Sequence, residues 1–491
     1  MLPFFKKPAS RAPLFLYNTL SKEKQQFKPL SGKRVRMYTC GPTVYDFVHI
    51  GNLRSSVFAD ILRRTLEYAG YEVKHIINIT DFGHLVADAD DTEDKMTLGL
   101  QREGKELTLE NMKALGEKYA QAFIDDVKAL NSEMPFAFPR ASEHIEEDIA
   151  FVSTLLEKGY AYKTSDGVYF NTAKFPSYGA LGMPKEGNTN SSGNHARIRA
   201  NPEKHDQRDF ALWKFNKTLG WEAPWGKGFP GWHIECTAMA TKYLGKSFDI
   251  HTGGIDLISV HHNNEIAEAE AVSGTQYVRY WVHGAFITIE GKRIGKSEGN
   301  AILLYQLKER GIGPLSYRYL LLTSHYRSTM NFTWESVEGA QTALQRAQRI
   351  FADLEEGGDI SEGYRLRFEA SINDDLNTAE GIALMWEMLK DTSLSYAQKR
   401  ATLLDFDRVL GLGFDKLGQG REKGKLEVLS VEDIPAEIDG LVQEREQARH
   451  AKDWERADAL RLSLKEKGFE IEDGPAGPLV RPLSGGGGQI P

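Results

Sequence analysis

Apolar positions along the first eighty residues change period twice, and each change predicts an element. Residues 33–40, KRVRMYTC, read as a short strand running into a Gly-Pro loop. Residues 52–69 then place Val57, Phe58, Ile61, Leu62 and Leu66 at helical spacing, with Gly70 as the expected C-cap. Residues 72–80, EVKHIINIT, are rich in β-branched residues and read as a second strand. Strand, helix, strand predicts the opening of an α/β, Rossmann-type doubly wound parallel sheet. From about 115 to 225 the α/β pattern is interrupted: helical stretches such as residues 143–159 alternate with a Gly/Asn/Ser-rich loop at 186–195, the pattern of an inserted domain. The α/β pattern resumes with a strand at 246–252, a helix after His261 and a strand over 276–289. Residues 335–420 carry helical periodicity, the polar run 414–432 reads as a linker, and 435–468 read as one strong helix before the Gly485–Gly488 tail. No internal repeat is visible.

Composition narrows the class without naming a function. The 491 residues are too many for one core, and 41% hydrophobic with 26% charged residues is ordinary for a globular protein. No apolar run approaches the roughly 20 residues that span a bilayer, and the proline-broken first twenty residues do not read as a signal peptide. Two cysteines cannot build a disulfide framework, and their rarity suits a reducing compartment, so the expectation is a cytoplasmic protein with no membrane partner. A formal charge of −8 neither advertises nor excludes nucleic acid.

The chemistry concentrates around those two cysteines. Cys40 lies in TCGPTVYD, and Cys236 lies in GWHIEC. Further on, His261 and Glu265 stand four residues apart. Thiolate, thiolate, imidazole and carboxylate together make a zinc site. Taken singly, each has a plainer reading: a buried core thiol, or a pair on a helix surface. His49-Ile50-Gly51-Asn52 falls between the first strand and the first helix, where phosphates meet helix N-termini. Arg293-Ile294-Gly295-Lys296-Ser297 is a basic, glycine-containing run that can fold over a triphosphate, Lys296 facing the charge that develops as pyrophosphate leaves. Alone, the first run is more often a satisfied loop histidine and the second more often a solvated turn.

Together these segments resemble class I aminoacyl-tRNA synthetases. HIGN resembles their HIGH signature and RIGKS their KMSKS loop. YTCGPTVYD, NITD, GWHIECTAMA, FDIHTGGIDL and HHNNEIAEAEA resemble the cysteinyl-tRNA synthetase family in particular, from about Leu16 to Arg481. The resemblance implies a catalytic domain over 16–334 with a connective-peptide insertion at about 115–225. It implies a helical bundle over 335–420, signalled by Asp374-Asp375-Leu376-Asn377, and a small anticodon-binding domain over 430–484. It implies one zinc ion per chain on Cys40, Cys236, His261 and Glu265, joined by the substrate thiolate, with His262 as a neighbouring imidazole that orients a ligand or touches substrate. It implies catalysis by His49, Asn52 and Lys296, and ATP contacts from Gly51, Asp256, Arg293 and Ser297, with Mg²⁺ accompanying ATP. Thr80, Trp232, His251 and Gly41 would line the amino-acid pocket. Arg449, Trp454, Asp458 and Asp473 would read unpaired anticodon bases. The implied partners are L-cysteine, ATP and tRNA-Cys, and the implied state is a monomer.

Four positions depart from the family pattern. Asn52 replaces the last His of HIGH. Arg293 and Gly295 alter KMSKS, and Asn263 stands where Glu is usual. Residues 80–85, TDFGHL, replace a NITDIDDK-type run; their DFG string lacks the catalytic loop that would make it a kinase signal. Two rivals remain open: a ligase joining cysteine to a glucosaminyl-inositol, which needs no anticodon segment, and a non-catalytic paralogue that binds zinc and nucleotide.

Overall fold

The computed structural model describes residues 12–82, 95–182, 201–294, 299–417, 434–451, 453–474 and 477–482. Lys296, Ser297, Gly83, His84 and the 186–195 loop lie outside them. The chain divides into two compact units, meeting at Asp415/Lys416.

The first unit opens with an antiparallel pair, β1 (Phe15–Asn18) and β2 (Glu23–Gln26). The predicted strand–helix–strand follows as β3 (Arg34–Thr39), α1 (Ile50–Tyr68) and β4 (Glu72–Ile77). All five predicted apolar positions of α1 are buried. Its C-cap is Ala69 rather than Gly70, which takes the next position at φ 90°. Next come α2 (Lys95–Arg102), α3 (Leu109–Ala129) and α4 (Ile145–Glu157). The interrupted region then holds an antiparallel sheet in the order β5 (Ala161–Lys163), β6 (Gly167–Phe170), β7 (Phe210–Phe215) and β8 (Gly228–Pro230). Helix and loop were expected there. These strands are short and, in β6, buried at every position, so no alternation marks them.

After α5 (Ile234–Leu244) come β9 (Phe248–Gly254), α6 (His261–Ser273) and β10 (Val278–Gly284). The central sheet runs β10-β9-β3-β4, every neighbour parallel. From β3 the chain crosses to β4 on one side, while β9 pairs on the other, so the strand order reverses between β3 and β9. Ligands collect at such switch points, outside the carboxyl ends of the strands. A small sheet of β11 (Ile287–Ile289), β12 (Lys292–Arg293) and, beyond α7 (Leu304–Glu309) and α8 (Pro314–Leu322), β13 (Met330–Phe332) carries the basic run. The single strand predicted over 276–289 is therefore two. Helices α9 (Trp334–Ala352), α10 (Glu362–Asn373), α11 (Thr378–Lys390) and α12 (Tyr396–Leu410) complete this unit, as the helical periodicity predicts.

The second unit packs α13 (Ala436–His450), α14 (Trp454–Glu466) and the hairpin β14 (Phe469–Gly474)–β15 (Gly477–Pro482) around Ile438, Val442, Leu464, Ile471 and Val480. The one long helix predicted here is two, because the Asp453 side chain accepts from the Arg456 amide and caps a new N-terminus. No helix among the described residues is long and apolar enough to cross a membrane.

Candidate active site and metal centre

Cys40 leaves the end of β3 at the switch point, its amide donating to the Thr252 carbonyl at 3.2 Å. Gly41 follows against β4. Its amide donates to the Asn78 side chain at 2.8 Å, and a Cβ there would lie 1.7 Å from the Asn78 carbonyl oxygen. The loop is tied further by Thr80, whose amide donates to Pro42 and whose carbonyl accepts from Val44. The Thr80 hydroxyl donates to Glu235 at 3.1 Å.

Helix α6 meets this loop from below with His261, His262 and Glu265 all buried. One donor atom each from Cys40, His261, His262 and Glu265 lies within 4.8 Å of the others. The Cys40 Sγ is 3.4 Å from His262 Nε2 and 3.8 Å from Glu265 Oε1. His261 Nε2 is 3.0 Å, and His262 Nε2 3.9 Å, from that same oxygen. Metal–ligand bonds of about 2.0–2.3 Å in a tetrahedron put donors about 3.3–3.8 Å apart. Spacing and donor chemistry both fit a zinc-type cation. Cys236, expected as the fourth ligand, stands outside this quartet but adjoins it, its thiol interacting with Cys40 and His261. His262, expected beside the ligands, presents its ring nitrogen among them.

Further imidazoles fix the inner ones, and sequence reasoning missed two of them. His233 Nδ1 meets His261 Nδ1 at 2.9 Å, and His283 Nε2 meets His262 Nδ1 at 2.7 Å. His251 Nε2 lies 2.9 Å from Glu265 Oε2, so the carboxylate is held at both oxygens. Such partners set tautomer and ring orientation. The available signal for His283 was a buried-type position following Tyr280, Trp281 and Val282 in β10.

The charged groups of this cluster act on one another. Burial pushes the Glu265 carboxyl upward, but the His251 and His261 imidazoles outweigh it and leave the pKa at about 2. Burial lowers His261, yet Cys236 and Glu265 raise it to about 10. Hydrogen bonding from Cys40 pulls the Cys236 thiol down, while burial and that neighbouring thiolate push Cys40 up. A cation placed between them would stabilise both thiolates at once.

Trp232 is 39% exposed, its ring 4.6 Å from His261, an aromatic wall at the mouth of the cluster. His251 is fully buried and stacks on Trp281 at 4.6 Å. Asn263 is buried and staples a loop, accepting from the Leu181 amide and donating to the Gly182 and Ile258 carbonyls. Asp81 accepts from the Ser142 amide and hydroxyl, anchoring the start of the departing TDFGHL run.

The nucleotide end lies at the start of α1. His49 and Asn52 form a reciprocal capping box: His49 Nδ1 accepts from the Asn52 amide, and the Asn52 side chain accepts from the His49 amide. With Nδ1 accepting, a neutral ring carries its proton on Nε2. Gly51 lets the basic run approach, since a Cβ there would stand 3.0 Å from Ile294 Cδ1. The Ile50 amide donates to Ile302, beyond that run, at 2.8 Å. Arg293 and Asp256 are exposed, and Asp256 is close enough to feel the charges of Arg293 and His261. The structure thus brings Cys40, Gly41, Thr80, Trp232, Cys236, His251, His261 and Glu265 to one end of the sheet.

In the second unit Trp454 opens α14 and is 59% exposed. Asp458 is exposed on the same helix, Arg449 pairs with Glu446 on α13, and Asp473 lies on β14.

Comparison with known proteins shows the family. The family model for the class I (C) tRNA synthetase catalytic domain matches residues 26–342. A DALR domain matches 367–415, and the cysteinyl-tRNA ligase anticodon-binding domain matches 431–481. Cysteine–tRNA ligase 1 of Burkholderia lata is 46% identical over 95% of this chain and 96% of its own length. The cysteine–tRNA ligase of Geobacillus thermodenitrificans is 37% identical over 94% and 97%. Methionyl-tRNA synthetase of Mycobacterium tuberculosis, solved in complex with methionyl-adenylate, shares the fold, with a TM-score of 0.53 at 15% identity over 78% of this chain and 90% of that one. With its switch-point cluster, its capped first helix and these relatives together, the chain belongs to the cysteine–tRNA ligase family of class I aminoacyl-tRNA synthetases.

Proposed function

We propose that the enzyme activates L-cysteine with ATP and passes the cysteinyl group to the terminal adenosine of tRNA-Cys, choosing cysteine through a zinc ion. The observation that carries the metal reading is the mutual approach of Cys40, His261, His262 and Glu265 at the switch point. Cys40, Cys236, His261 and Glu265 would hold the ion, with the His262 ring nitrogen facing the same place. When bound, zinc supplies a soft Lewis acid that favours a substrate thiolate over a serine hydroxyl.

The protein's own residues orient the rest. Trp232 is assigned to the pocket wall, and the Thr80 hydroxyl, which donates to Glu235, is assigned to the substrate amino group. The cysteine carboxylate attacks the ATP α-phosphorus, the bond from that phosphorus to the bridging oxygen breaks, and pyrophosphate leaves; Mg²⁺ bound with ATP would offset the phosphate charge. His49 donates from Nε2 to a phosphate oxygen, Asn52 holds the His49 backbone, and the α1 N-terminus adds a favourable dipole. Lys296 and Ser297, with Arg293, are assigned to the departing phosphates by their place in the KMSKS-like run. Residues Arg449, Trp454, Asp458 and Asp473 are assigned to the anticodon. The anticodon-domain match over 431–481 favours tRNA over an amino sugar as acceptor.

The test is ATP–pyrophosphate exchange with cysteine or serine. Exchange with cysteine should exceed that with serine by at least about 10³-fold, since a site built to bond one group rejects an analogue lacking it. Comparable exchange with both amino acids would contradict the proposal.

A further inference from the structure

The Asp374-Asp375-Leu376-Asn377 run between α10 and α11 has a geometry that its helical surroundings do not require. Asp375 and Leu376 both take left-handed backbone conformations, φ 60° and 58°, which non-glycine residues adopt uncommonly. The turn presents the Asp375 carboxylate, 2% exposed, to the catalytic domain. One oxygen accepts from the Tyr17 amide at 2.8 Å and the Tyr326 hydroxyl at 2.7 Å. The other accepts from Arg327 Nε at 2.8 Å and Nη2 at 2.7 Å, with His325 Nε2 at 3.7 Å. Three consecutive residues, 325–327, are thus gathered on one carboxylate.

The other side of that turn supports the nucleotide end of the site. Arg54, on α1 two residues after Asn52, donates to the Ser328 carbonyl at 2.6 Å and to the Phe286 carbonyl. The Tyr326 ring stacks on Phe58 of α1, centroids 4.6 Å apart and planes 6° from parallel. The Tyr326 carbonyl accepts from Ala285, and Phe286 accepts from Met330, fixing the entry to β11 and so to the β11–β12 hairpin that carries Arg293. The α1 N-terminus and the basic hairpin therefore share one support, and Asp375 holds it.

We infer that Asp375 is a positioning residue for the ATP end of the site, setting the capped start of α1 and the Arg293 hairpin at their working separation. This rests on the adenylate step proposed above. Misplacement of the two groups would slow reaction with ATP while leaving the cluster residues on the Cys40 loop and α6 with their own partners.

The test is exchange kinetics of the full-length zinc enzyme. Asn tolerates the left-handed conformation, so Asp375→Asn keeps the turn and removes the charge. Arg327→Gln removes the same pair from a guanidinium that is 40% exposed. Both variants should lose about tenfold or more in kcat/KM for ATP, with KM for cysteine within about twofold and zinc content unchanged. Arg327→Lys should recover part of the loss. If Asp375→Asn does not fold, Arg327→Gln and Arg327→Lys decide. Unchanged ATP kinetics with only a lower melting temperature would overturn the inference, leaving Asp375 as a brace between helices. No exchange in the unaltered enzyme would overturn the functional reading beneath it.

Discussion

Gly41→Ala tests whether the Cys40 loop sets the site. An ideal Cβ at Gly41 would lie 1.7 Å from the Asn78 carbonyl oxygen and 2.8 Å from its carbon. Carbon and oxygen need about 3.3 Å, so the loop and the end of β4 must part by about 1.6 Å. Neither is free to yield. Gly41, Pro42 and Val44 are bonded to Asn78 and Thr80, just past β4, and Cys40 is bonded to β9. The separation must therefore displace Cys40 from α6 or Thr80 from Glu235. Misplacement of about 1 Å costs on the order of 10² in rate, and overpacking costs about 1–3 kcal/mol of stability. Gly41→Ala should therefore fold with modestly lower stability and lose at least about 100-fold in cysteine-dependent exchange, with weakened zinc retention measured by metal analysis after dialysis. Gly339→Ala is the control. It lies in α9 with open space around it and should match the unaltered enzyme. Exchange by Gly41→Ala within threefold of the unaltered enzyme, at full zinc content, would refute the reasoning.

Other expectations test the frame around the site. Arg318 is fully buried, bonded to Asp60 Oδ2 at 2.6 Å and to the Leu410 and Leu130 carbonyls; Arg318→Met should cost about 3–5 kcal/mol in denaturant unfolding. A loss below 1 kcal/mol (roughly the net worth of one ordinary hydrogen bond) would show that the buried pair is not needed. Burial lowers the His75 imidazole to about 3, so the folded chain binds fewer protons than the unfolded one between pH 3 and about 6.5. Its contribution is complete above about pH 6.5 and lost as pH falls, with a slope approaching 1.4 kcal/mol per pH unit. His75→Gln should flatten that decline in chemical-denaturation series, and an unchanged slope would exclude His75 as its source. A chain ending at Asp415 should keep cysteine-dependent exchange and lose most tRNA charging; equal charging would remove the anticodon assignment.

How far the sequence carried this picture depended on what each segment buries. The β3–α1–β4 unit was legible because the large apolar residues of α1 recur at helical spacing, although residues 57–62 are all buried, and β4 carries Val73, Ile76 and Ile77. The antiparallel insert was not, because its strands are short and β6, buried at every position, shows no alternation. The break between α13 and α14 was hidden within a continuously charged, helix-favouring run, although Asp453 is a good N-cap. At the site, Cys40, Cys236, His261 and Glu265 stood out through residue type and spacing. His262 was noticed only as a neighbour, and its approach to Cys40 depends on the β3–β9 pairing, which no local pattern encodes. His233 and His283 were missed for the same reason, since their partners lie 28 and 21 residues away. The purpose of Asp375 was equally hidden: its contacts run to Tyr17, Tyr326 and Arg327, far off in the chain.

The cysteine selectivity proposed above rests on a thiol-containing metal cluster that recognises the substrate thiol. Cobalt(II) substituted for zinc reports this directly, through its sulfur-to-metal charge-transfer absorption. Adding cysteine should raise that band as one more thiolate joins the metal, while serine should leave it unchanged. A band that does not respond to cysteine, or responds equally to serine, would contradict the account.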